Sequence, residues 1–130
     1  MNKINILIVV DVEGALASGT LQDNVYLVDS NQYLGSWQEG QSTLHTVCQD
    51  GQLLTWSIAA VDPSQAVNIT SFSGNMLDTH ICTPTQDPFL GDAVWNGRVE
   101  TQGSFGSYPY NVVVAMNNTQ MTFSAYLKVV

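Results

Sequence analysis

Side chains able to do chemistry are sparse in this sequence, and two stretches concentrate them. Residues 29–39 contain Asp29, Asn31, Tyr33, Trp37 and Glu39, and residues 87–96 contain Asp87, Asp92, Trp95 and Asn96. Planar amides and carboxylates beside an aromatic ring suit a sugar, whose paired hydroxyls meet the polar groups while its apolar face lies on the ring. Carboxylate and carbonyl oxygens of the same loops could also hold calcium. On that reading Trp37 or Trp95 is the stacking platform, and Asp29, Asn31, Asp87, Asp92 and Asn96 are ligands for hydroxyls or a cation. A plainer reading is also open: Asp-Pro, Gly-Asp and Asn-Gly pairs make turns, and tryptophans pack over sheet ends.

Other chemistry finds little support. Nucleophilic catalysis needs a base beside a Ser, Cys or Thr, and the only imidazoles, His45 and His80, lie in no G-x-S-x-G or similar context. The chain is therefore not expected to be an enzyme. Gly103-Ser104-Phe105-Gly106 lacks the helix and the lysine of a phosphate-binding loop. His45-x-x-Cys48 and His80-x-Cys82 supply four possible zinc ligands. If 42–49 is a strand, however, residues three apart point to opposite faces, and His45 and Cys48 cannot reach one metal without a bulge. Two cysteines are too few for a disulfide-stapled scaffold, so Cys48 and Cys82 are expected as reduced core thiols, with pairing between them left open. No cofactor is expected beyond the possible calcium.

Charge narrows the partners. Three Lys+Arg against eleven Asp+Glu give a formal net charge of -8, which repels phosphate backbones and argues against nucleic acid. Only 11% of residues are charged, against about 25% in ordinary domains, so the surface must be largely neutral and polar. With so few lysines, sheet edges lack a common protection against pairing, and 119–124 and 68–73 are candidates for edge-to-edge contact. A homo-oligomer is expected. No apolar run approaches the roughly 20 residues of a membrane-spanning helix. Met1-Asn2-Lys3 and the apolar residues that follow imitate a secretory leader, but Asp11 and Glu13 interrupt it before Ala15-Leu16-Ala17. A retained first strand and a cytoplasmic location are expected.

These loops need a scaffold, and the pattern is one of strands. β-branched and aliphatic runs bounded by turn residues place strands near 3–12, 23–29, 42–49, 52–62, 66–73, 92–101, 107–116 and 119–129. Asp50-Gly51 and Asn117-Asn118 tolerate the positive φ of hairpin turns. Residues 31–41 read as an ordered loop and 74–92 as a long connection. The expected fold is all-β: one domain over 1–130, a two-sheet antiparallel β-sandwich, Greek-key or jelly-roll-like, with seven to eight strands.

Five segments in order, INILIVVDVEGALASG, NVYLVDSNQYLGSWQEGQ, CQDGQLLTW, VWNGRVETQG and YNVVVAMNN, resemble the AidA/PixA inclusion body protein family of bacteria. The resemblance runs from about Asn5 to the end of the chain. It implies a small soluble all-β protein made in quantity in stationary or quorum-sensing conditions, in some members packed into cytoplasmic crystalline inclusions in insect-associated bacteria; a host-related role and later release are further expectations. It implies no established enzymatic activity and no catalytic residues to carry over. The family's founder is methionine-rich, whereas this sequence has four methionines, so methionine storage is not implied here.

Overall fold

The structure, a computed structural model, describes residues 3–29, 45–89 and 91–130, with His45 and Asp92 described by their backbone alone. Strand β1 (Ile4–Val10) buries Ile4, Ile6, Ile8 and Val10 and turns the residues between them outward, the period of two that a half-buried strand requires. It ends earlier than expected because Asp11 begins a helix, α1 (Val12–Ser18): the Gly14 amide donates to Asp11 Oδ1 at 3.1 Å. Gly19, at φ 78°, closes the helix by donating to the Ala15 carbonyl. The short helix buries Val12 and Ala15 and returns the chain to β2 (Val25–Asp29), antiparallel to β1.

The remaining elements are β3 (His45–Cys48), β4 (Leu53–Ala60), β5 (Val67–Ser73), α2 (Asn75–Asp78), β6 (Thr85–Asp87), β7 (Gly91–Arg98), β8 (Gly106–Met116) and β9 (Thr119–Val129). They form a five-stranded sheet, β2-β1-β4-β7-β6, and a four-stranded sheet, β3-β9-β8-β5. The expected sandwich is present, with nine strands among the described residues. The additional one, β6, spans three residues between Pro84 and Pro88, too short to leave a periodic signal. Both sheets are mixed, since β1 runs parallel to β4 and β3 parallel to β9.

The two expected hairpin turns have different fates. Asn117 and Asn118, at φ 46° and 70°, join β8 to β9 in unbroken antiparallel register from Met116↔Thr119 to Gly106↔Val129. Gly51, at φ 90°, also makes its turn, but β3 and β4 on either side of it enter opposite sheets. A turn residue permits reversal of the chain; pairing partners elsewhere decide where each arm goes. Here the Gly51 amide and the Gln52 carbonyl pair with Val99 instead, and the Asp50 carboxylate accepts from the Thr101 amide at 2.8 Å and the Gly103 amide at 3.0 Å.

Those amides, Thr101 foremost, hold the Asp50 carboxyl below its ordinary value. A carboxylate lowered in the folded state stabilises the fold above its unfolded pKa and loses that contribution as pH falls through the folded one. The expected midpoint of Asp50 in a carboxyl-carbon NMR titration therefore lies below that of a free aspartate. In Asp50→Asn, faster exchange of the Thr101 and Gly103 amides is expected. An ordinary midpoint and unchanged exchange would contradict the contact.

The core is a contiguous buried cluster fed by both sheets. At its centre Trp56 of β4 meets Phe72 of β5 at 5.1 Å and Tyr110 of β8 at 5.9 Å between ring centroids, both edge-on. Trp56 Nε1 donates to Tyr110 Oη at 3.2 Å, so the two buried polar atoms satisfy each other.

Candidate functional site

On the outer side of the five-stranded sheet, register sets Asn96 of β7 between Thr55 of β4 and Thr85 of β6. Thr55 Oγ1 donates to Asn96 Oδ1 at 2.8 Å, and Asn96 Nδ2 donates to Asp87 Oδ2 at 3.1 Å. This chain fixes the orientation of the amide. The second oxygen, Asp87 Oδ1, accepts from the Phe89 amide at 2.8 Å, so the Asp-Pro turn presents Phe89 at the surface, where its side chain is 93% exposed. A carboxylate, an amide and a hydroxyl thus stand in a row beside an open aromatic ring.

Two of the sequence-derived site residues, Asp87 and Asn96, are therefore brought together. Trp95 is not part of that row: neighbouring residues on a strand face opposite ways, and Trp95 packs on Phe72 at 5.3 Å between the sheets. Asp29 ends β2, at the opposite edge of the sheet from β6, four strand spacings or roughly 19 Å away. It is buried at 4% exposure and accepts from Thr46 Oγ1 at 2.8 Å. Asp92 lies in β7, with its side chain outside the described atoms. Asn31, Tyr33, Trp37 and Glu39 fall outside the described residues. Among the described residues, no group of three or more His, Cys, Asp or Glu side chains is placed to hold a metal ion. Sequence reasoning missed Thr55 and Phe89. The Asp87-Pro88 turn was the available signal for Phe89, because the residue after such a turn stands at its tip.

The thiols offer no nucleophile. Cys48 and Cys82 are buried and unlinked. Burial pushes each up to about 12, helped by Asp29 at Cys48 and by Cys48 and Glu100 at Cys82. Cys82 Sγ also fills the space beside Gly97, where an added Cβ would meet it at 2.7 Å. In an Ellman assay at pH 8 the native protein is expected to leave both thiols unmodified, and denaturant should release two equivalents. Prompt reaction of either thiol in the native state would contradict this burial.

No helix among the described residues is long and apolar enough to cross a membrane. A family model described as a domain of unknown function, DUF8788, matches residues 2–122. No curated protein matches the sequence. Among solved structures, the fold is similar to the crystal structure of an inclusion body protein, PixA, from Burkholderia cenocepacia J2315. The two are 15% identical with a TM-score of 0.69, over 98% of this chain and 93% of that one. At that identity the likeness is one of fold, and at that level it agrees with the AidA/PixA resemblance of the sequence.

Proposed function

The chain belongs to the DUF8788 family, and from its fold and composition we propose that it is a non-enzymatic, self-associating inclusion-body-type protein of bacteria. The observation that carries this reading is the likeness of fold to an inclusion body protein over 98% of the chain. Composition supports it physically. With three Lys+Arg and eleven Asp+Glu in 130 residues, few long charged side chains must be immobilised when copies pack together, so ordering the surface costs less rotamer entropy than usual. In this reading the single sandwich domain is the protomer, its partner is another copy, and abundance in the cytoplasm drives assembly into inclusions, with host interaction after release. Size-exclusion chromatography with light scattering, run from micromolar to millimolar concentration at pH 7, tests it. A mass that climbs with concentration is expected, and a constant monomer mass would contradict it.

A second reading, a lectin-like module, draws support from the row of Thr55, Asn96 and Asp87 beside exposed Phe89. Asp87 and Asn96 would take sugar hydroxyls and Phe89 the ring face, with calcium as an optional bridge. A glycan array run with and without calcium is expected to give binding that Asn96→Ala and Phe89→Ala each reduce about tenfold or more, a loss of about 1.4 kcal/mol. An array without hits would remove this reading.

A further inference from the structure

Among the described residues four strands end the two sheets, and they are not equally protected. β6 has three residues and a register shift, β5 carries a shift between Ile69 and Ser71, and β3 has four residues, of which Thr46, Val47 and Cys48 are buried. β2 is different: five residues in continuous register with β1, turning Tyr26 and Val28 outward at 43% and 45% exposure. Leu7 of β1, 41% exposed, stands opposite Val28, and half-buried Val9 stands opposite Tyr26. On the other side of β1 the same rows continue into Ser57 and Ala59 of β4. The outward positions of β1, β2 and β4 in this block carry no carboxylate, ammonium or guanidinium group.

We propose that this outer face, centred on Leu7, Tyr26 and Val28, docks a second copy of the chain, the two faces packing about a two-fold axis. The proposal rests on the self-association reading and names its surface. Charge selects the occupant. Every copy carries a net charge of -8, so two copies approach best where neither presents a carboxylate, and an uncharged apolar face complements itself about a two-fold axis. A cationic partner would be drawn to the acids elsewhere. Area sets the strength. Three strands, β2, β1 and β4, at about 4.8 Å spacing and about seven residues at 3.3 Å give a face of about 14 by 23 Å. That is about 330 Å² a side and about 660 Å² in all, well below the roughly 1,200 Å² where stable interfaces begin. The dimer is therefore weak and forms when the protein is concentrated.

Sedimentation velocity on the full chain, from micromolar to millimolar concentration, tests the assignment with Tyr26→Lys, Val28→Lys and, as control, Phe89→Lys. Lysine makes the net charge less negative, so lost association cannot be blamed on added net repulsion. The two face variants are expected to associate about tenfold more weakly or worse, and the control like the parent. Circular dichroism checks that each is folded; should a lysine variant unfold, Leu7→Ser on the same face reads the same weakening. Face variants that associate like the parent overturn this surface while leaving self-association in place. A parent chain monomeric throughout overturns both, as does a monomeric chain that cosediments with phosphatidylcholine vesicles, which would give the face to a lipid surface.

Discussion

Replacing Trp56 with Ala is expected to lower the free energy of unfolding by about 3–5 kcal/mol, the largest effect of any single change in this core. Trp56 is fully buried, edge-on to Phe72 and Tyr110, and donates the hydrogen bond that satisfies the Tyr110 hydroxyl. Truncation opens a cavity bridging both sheets and leaves a buried hydroxyl without its donor, which itself costs about 1–3 kcal/mol. Burial already pushes the Tyr110 phenol well up, so ionisation offers no relief at neutral pH. Against a total stability of about 5–15 kcal/mol, Trp56→Ala brings the domain near the edge of folding. Trp56→Phe keeps most of the volume and should cost clearly less. Urea titration of both variants measures this; a loss under about 1 kcal/mol for Trp56→Ala would show that the site is not the packing centre described.

Much of the fold was legible because three of its strands alternate. β1 buries every second residue, as do β8 from Tyr110 and β9 from Phe123, and the Asn-Asn turn between the last two has the positive φ that its residues tolerate. The rest depended on contacts distant in sequence. α1 was hidden by the apolar run continuing through Val12, Ala15 and Leu16, with only Asp11 and Gly19 hinting at its caps. Asp50-Gly51 declared a turn but not that its arms serve different sheets, which is decided by pairing with Val99 and by β9. In the candidate site, strand alternation separates Trp95 from Asn96. Residue types put these two in one group, and strand geometry divides them. Asp29 looked like a loop ligand, but its place at the end of an inward-facing row buries it against Thr46.

The second large effect expected is on assembly in acid. At neutral pH the net charge of -8 weakens the association of copies. Carboxyl groups of ordinary pKa, about 3.9–4.3, begin to protonate as pH falls toward the pI near 4.1, and the repulsion between copies shrinks with them. Asp50 and Asp62 are lowered, chiefly by the amides of Thr101 and Ser64, so they keep their charge below the ordinary range and the fold keeps the Asp50 contact through this interval. The assembled fraction should therefore rise between roughly pH 6 and 4.5 while the sandwich stays intact, and fall again on return to pH 7. Added salt at pH 7 should act in the same direction by screening. The decisive measurement is light scattering on the wild-type chain near millimolar concentration, followed through that pH range with circular dichroism as a check on folding. The account predicts a reversible growth in mass with falling pH at constant β-structure; a folded protein that is strictly monomeric at pH 5 would contradict it.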